Sequence, residues 1–199
     1  MTPRIDSFLV LALLASISTA QAQSLDLGAH VVGAQWSEFD GTDFGIGGRL
    51  SWKPSPVIGL EGELNWYPSD FPGERVAFSG SRVEGFAAVT AGPRLGRVRP
   101  FVRAGAGFLK SSPAPAPFAC IAIFPPPLAC LMAAGHTLPT LELGGGLEFA
   151  TTGATFLRID AGDRILRYPG PTFTGAFELK DQGFFGHAFK FSLGAGWRF

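Results

Sequence analysis

Beyond residue 24 the chain alternates. In eight stretches, every other position is apolar while the positions between are small, polar or charged, the period-2 signature of β-strands with two unlike faces. The last stretch is the clearest: Phe189, Phe191, Leu193, Ala195, Trp197 and Phe199 share one face, and Lys190, Ser192, Gly194, Gly196 and Arg198 the other. A helix would not preserve that division, because its side chains repeat at about 3.6 residues. The second stretch sets Phe44, Ile46, Gly48, Leu50 and Trp52 against Gly45, Gly47, Arg49, Ser51 and Lys53. The third sets Leu60, Gly62, Leu64 and Trp66 against Glu61, Glu63, Asn65 and Tyr67, with Pro54-Ser55-Pro56 as the turn between the two.

Three more stretches divide the same way. The fifth opposes Val102, Ala104, Ala106 and Phe108 to Phe101, Arg103, Gly105 and Gly107. In the sixth, Leu141, Leu143, Gly145, Leu147 and Phe149 oppose Glu142, Gly144, Gly146 and Glu148; in the seventh, Leu157, Ile159 and Ala161 oppose Arg158, Asp160 and Gly162. The first (residues 25–36) and fourth (residues 82–95) alternate less cleanly. Connections after the second, fourth and sixth stretches are short (residues 53–57, 96–99 and 150–154), and those after the third, fifth and seventh are long (residues 68–81, 111–139 and 168–186). The link after the first, residues 37–42, is shorter than these. Short turns at one end and long loops at the other, with an even strand number, are how bacterial outer-membrane barrels are built, the turns periplasmic and the loops outside.

Alternation alone does not identify the solvent, because a soluble barrel alternates too, with its apolar face inward. The character of the second face decides. It is mostly Gly and Ser with sparse charges of both signs, as in the crowded inside of a narrow barrel: Arg49, Lys53, Arg82, Arg94, Arg103, Arg158, Lys190 and Arg198, with Glu61, Glu63, Glu84, Glu142, Glu148 and Asp160. In a low-dielectric interior such charges must pair. Aromatic residues mark the strand ends, Trp52, Phe149 and Trp197 at the short-turn end and Trp36, Trp66, Tyr67, Phe108 and Tyr168 at the long-loop end, as two girdles at lipid interfaces would require.

Composition sharpens this picture. The chain is 46% hydrophobic and only 16% charged, yet beyond its N-terminus no apolar run approaches a helical span of about 18 residues, so the apolar residues must be dispersed over strands. Residues 1–22 read as a secretory signal peptide, with Arg4 before an apolar stretch and Ala20-Gln21-Ala22 as the cleavage site, which leaves one domain, residues 23–199. Gln23 follows the site, so no cysteine offers a lipid anchor there. A formal net charge of zero excludes the basic footprint that nucleic acid needs.

The last residues, with Trp197 and the terminal Phe199 on the apolar face, resemble the signal by which bacterial outer-membrane barrels are recognised by their assembly machinery. Together with Trp52-Lys53-Pro54-Ser55-Pro56, and with Ala91-Gly92-Pro93-Arg94 leading into residues 99–107, they make the mature chain similar to the small eight-stranded OmpA/OmpX-type, porin-like outer-membrane barrels of Gram-negative bacteria. The resemblance implies an all-β, antiparallel, up-and-down transmembrane barrel. Outer-membrane lipid and the assembly machinery are then its partners, and a monomer is expected. None of these motifs is catalytic.

The loop of residues 111–139 departs from the small-barrel pattern. Its prolines at 113, 115, 117 and 125–127 prohibit ladder pairing, and its Cys120 and Cys130, in a chain bound for an oxidising compartment, read as a disulfide stapling an external lobe that could meet an extracellular ligand. One nearby histidine, His136, leaves a structural zinc site incomplete, and no cofactor motif is present: Gly144-Gly145-Gly146 and Gly105-Ala106-Gly107 precede no Gly-Lys-Ser/Thr. His136 and His187, near the outer rim, and His30, in the lumen or wall, have no nucleophile or orienting acid nearby in sequence. The reading is a non-enzymatic barrel with a charge-filled lumen and a structural or surface-interaction role. A narrow channel is the alternative, and a lipid-modifying enzyme ranks third.

Overall fold

The computed structural model describes residues 24–37, 42–68, 81–113, 135–151, 153–169 and 183–199. They form eight strands: β1 (Ser24–Trp36), β2 (Thr42–Lys53), β3 (Ile58–Tyr67), β4 (Arg82–Ala91), β5 (Val98–Ser111), β6 (Thr137–Ala150), β7 (Thr155–Tyr168) and β8 (Phe184–Arg198). Each pairs antiparallel with the next, and β8 pairs back onto β1, so the sheet closes into a barrel without an edge. The seam is continuous to the last residue: Phe199 N–H donates to Leu25 O at 2.8 Å, and Leu25 N–H to Phe199 O at 3.3 Å.

The two faces are inverted relative to a soluble barrel. In β3 burial alternates without a break, Leu60, Leu64 and Trp66 facing outward while Glu61, Glu63, Asn65 and Tyr67 are buried. The same holds around the wall, where Leu27, Ile46, Leu50, Val102, Leu143, Ile159 and Leu193 are exposed on the outside. Lumen glycines make space for inward side chains. A Cβ on Gly105 would come within 2.7 Å of the Phe86 ring, and one on Gly196 within 2.4 Å of the Phe156 ring.

Several boundaries differ from the sequence reading: β6 begins at Thr137 and β8 at Phe184, inside the stretches 111–139 and 168–186 read as connections. Strand β4 stops at Ala91 and β5 begins at Val98, earlier than the alternation suggested, so Arg99 belongs to the strand. Arg94, expected inside, is exposed on the intervening turn. Residues 95–98 close that turn with reciprocal bonds between Leu95 and Val98, and Gly96 takes the positive φ of 63° that a type II′ hairpin needs at its first central position. The start of β1, the end of β8 and the turns at 54–57, 92–97 and 151–154 lie at one end, and the connections after β1, β3, β5 and β7 leave from the other.

Candidate functional site

Among the described residues, strand geometry gathers charged side chains in the lumen. Inward positions of all eight strands contribute, and their charges interlock in tiers. At the short-turn end, Lys53 Nζ donates to Asp26 at 2.6 Å and to Glu148 at 2.8 Å, while Arg198 donates to Asp26 at 3.1 Å and to Glu148 at 2.5 Å. Lys53 and Arg198 also stand over the Phe156 ring, 5.7 and 5.6 Å from its centroid. Phe156 therefore faces two cations with its ring.

The middle tier centres on Glu63 and Asp160. Glu63 accepts from Arg49 at 2.8 Å, Arg103 at 3.2 Å and Lys190 at 2.5 Å, so one carboxylate holds three cations from three strands. Asp160 accepts from Arg103 at 2.8 Å and Arg158 at 3.1 Å, and Arg49 Nη1 lies 3.2 Å from it across the barrel. Arg158 pairs in addition with both oxygens of Glu61 and stacks 4.1 Å from the Phe101 centroid. Arg103 stands over Phe86. This reciprocity lets the ions stay charged, because each has an opposite charge in place of the water it lost.

Above this tier Glu84 takes Arg164 at 2.5 Å and Lys190 at 3.4 Å, with Tyr67 donating to it at 3.1 Å. Glu142 lies 3.2 Å from Arg103 and 3.4 Å from Lys190. His30 shares a 2.7 Å hydrogen bond with Asn65. Of the fourteen charged residues expected inside, all but the exposed Arg94 line this interior, but they do not form one cluster. Arg82 is set apart near the long-loop end, where it donates to Asp43 at 2.5 Å. Asp26, Asp43, Arg99, Arg164 and His30 complete the set. Asp26, Asp43 and Arg164 occupy the inward alternate positions of their strands, the parity that could have found them.

Toward the long-loop end the lumen turns largely apolar around the Arg82–Asp43 pair. Val32, Ala34, Trp36, Tyr67, Leu109, Leu138, Leu166, Tyr168 and Ala188 form a buried apolar cluster there. Trp36, Tyr67 and Tyr168 were expected in the outer aromatic girdle. They instead point inward and are 2, 0 and 0% exposed, so the girdle at that end retains Trp66 and Phe108. Lysine and arginine fill the lower lumen and aromatic rings cap it.

Between the described residues one small void lies inside. A cavity of about 10 Å³ lies between Asp26, His30, Ser51, Phe156 and Arg158, room for no more than one water. Larger hollows, of about 600 and 720 Å³, are troughs on the outer wall over small residues such as Gly48, Gly62, Gly85 and Ala87. Among the described residues the buried His30 Nδ1 and Thr140 Oγ1 have no protein partner, which marks them as hydration points of the lumen.

At the outer wall one acid does orient a histidine, contrary to the sequence reading. Asp163 Oδ2 lies 2.8 Å from His187 Nδ1, on the outward face near the long-loop end. Ser37, the cross-strand neighbour, turns its hydroxyl to the His187 carbonyl at 2.9 Å rather than to the ring, which is not the nucleophile-to-base contact of a hydrolase. No group of three or more metal-ligating side chains occurs among the described residues. Cys120 and Cys130, and with them the expected disulfide, lie outside the described residues.

Neither a family model nor a curated relative matches this sequence. Solved structures do. Neisserial surface protein A is 14% identical, with 92% of this chain and all of that one aligned at a TM-score of 0.52. The N-terminal barrel domain of Pseudomonas aeruginosa OprF is 16% identical over 87% of this chain and 97% of its own, at a TM-score of 0.47. Ail, the attachment invasion locus protein of Yersinia pestis, is 19% identical over 89 and 97%, at 0.45. At these identities the likeness speaks to fold, and the fold is that of the small eight-stranded outer-membrane barrels.

Proposed function

We propose that this chain is a non-enzymatic outer-membrane barrel of a Gram-negative bacterium whose closed lumen makes it a rigid, impermeable mount for its long loops. It would serve envelope integrity or surface interaction. The observation that carries the reading is the inverted burial. A wall of outward Leu, Ile, Val, Phe and Trp needs a hydrocarbon solvent, and a lumen packed with ion pairs beneath an apolar cluster supports a closed interior. The signal peptide over residues 1–22 and a C-terminal strand read by the assembly machinery supply the route to the membrane. The loops face outward, where an extracellular ligand would be met.

The direct test is single-channel conductance of the signal-free protein refolded into a planar bilayer. A silent protein that migrates as a heat-modifiable, folded barrel supports the closed mount. Reproducible steps at neutral pH would instead make it a narrow channel, the reading favoured by the hydration points at His30 and Thr140. In that case Arg49, Arg103 and Glu63 would be its lining.

A further inference from the structure

The short-turn end carries a built surface that the lumen does not explain. The turn between β4 and β5 presents Leu95 63% exposed, with Arg94 and Arg97 exposed on either side of it. An exposed leucine on an unrestrained loop would be unremarkable, but this turn is pinned from both sides. Gly92 N–H donates to Val57 O at 2.9 Å, and the buried Arg99 guanidinium donates to the Gly92 carbonyl at 3.3 Å and the Val57 carbonyl at 3.2 Å. On the other side Ala150 N–H donates to the Arg97 carbonyl at 2.7 Å. Gly92 is obligatory, because a Cβ there would lie 2.0 Å from Pro100 O. A buried arginine thus ties two neighbouring turns into one platform, with Val57 and Ile58, each 47% exposed, beside Leu95.

The exposed charged side chains at this end are cationic. The acidic side chains of this end, Asp26 and Glu148, are turned inward and paired with Lys53 and Arg198. Arg94 gives one bond, Nε to Gly96 O at 3.4 Å, within its own turn, and no ion pair is formed by Arg94 or Arg97 among the described residues. The apolar part of the platform is continuous with the outward wall through Ile58, Leu60, Val89 and Val102. An apolar tip flanked by two guanidinium groups, joined to a lipid-facing wall, matches the depth profile of a leaflet: acyl chains, then phosphates.

We propose that Leu95, Arg94 and Arg97 form a docking site for anionic phospholipid headgroups of the inner, periplasmic leaflet, the leucine seated among the upper acyl carbons and the arginines holding phosphate. The inference rests on the membrane reading above. It fixes the height of the barrel in the bilayer from this turn rather than from the girdle alone.

The test is spin-label association. The refolded protein is placed in phosphatidylcholine vesicles, and the motionally restricted fraction is compared for spin-labelled phosphatidylglycerol and phosphatidylcholine. The wild type is expected to prefer phosphatidylglycerol by about threefold or more, as two cationic side chains near a headgroup plane should produce. Arg94→Gln with Arg97→Gln should bring that ratio close to one, and 1 M salt should do the same to the wild type. Inorganic phosphate at equal ionic strength should compete no better than chloride. Separately, Leu95→Cys carrying an environment-sensitive fluorophore should be quenched by lipid-borne bromine and spared by aqueous iodide. A preference that survives the double variant, an absence of preference, or iodide quenching at position 95 would each overturn the proposal. Insertion is scored independently by heat-modifiable migration. A protein that inserts without preference refutes the docking site alone, whereas one that does not insert refutes the membrane reading.

Discussion

Single residues carry unequal weight in this lumen. Glu63 accepts from Arg49, Arg103 and Lys190, so Glu63→Gln removes a charge that three buried cations share while hardly changing its shape. Breaking a buried ion network from one side leaves uncompensated charge, which costs about 3–5 kcal/mol. The expected outcome is a large fall in the urea midpoint of the refolded barrel, with the unfolding slope unchanged. A control follows from the glycines. A Cβ on Gly47 would lie 2.0 Å from Asn65 Oδ1 and 2.6 Å from His30 Nε2, whereas one on Gly62 meets nothing within 4 Å. Gly47→Ala should therefore destabilise by about 1–3 kcal/mol through overpacking, and Gly62→Ala by no more than about 0.5 kcal/mol. Equal effects at the two positions would contradict the lumen packing described.

At the scale of elements, the period-2 alternation was legible because one solvent lies on each side of every strand for most of its length. It faded where that condition fails. In β1, Val32 and Ala34 are buried inward in the apolar cluster while the outward Gly33 is covered by the Phe191 ring, 2.2 Å from where its Cβ would be, so three successive residues are buried. The rule that aromatic residues mark strand ends puts Trp36, Tyr67 and Tyr168 in the girdle, whereas their parity, one residue off the outward set, points inward, and parity prevails. Arg164 and Asp43 were equally open to parity. What no strand pattern contains is the pairing: Arg49 on β2 meets Asp160 on β7 across the lumen, and that depends on the tilt and stagger of the closed sheet. The last strand supports a further prediction. Its terminal residue closes the seam by only the two Leu25 bonds, so deletion of Phe199 should leave refolding in detergent near normal. Assembly in cells, measured as heat-modifiable protein in the outer-membrane fraction, should fall sharply if Phe199 serves as a recognition signal.

For the whole molecule, a closed lumen, as proposed, would separate the barrel from whatever its loops do, and the ends of the longest connection allow that to be tested. Strands β5 and β6 stay paired through Lys110 and Thr137, and beyond them Ser111 N–H donates to His136 O at 3.0 Å. Farther out, Gly135 stands so close to Pro113 that a Cβ built on it would be 3.1 Å from the proline ring. The chain has thus already met its partner strand before residue 114, and a two-residue Asn-Gly hairpin could replace residues 114–134 without pulling on the wall. Because a shorter loop costs less closure entropy, by about 0.6 kcal/mol per halving, the excised protein should fold at least as stably as the parent in a urea titration. It should also remain silent in the planar bilayer, because the ion tiers and the apolar cap that close the lumen are built from strand residues. Conductance appearing on excision would mean that the loop, and not the wall, completes the seal. Stability lost on excision would mean that residues 114–134 pack on the cap, and the rigid mount would have to be redrawn to include them.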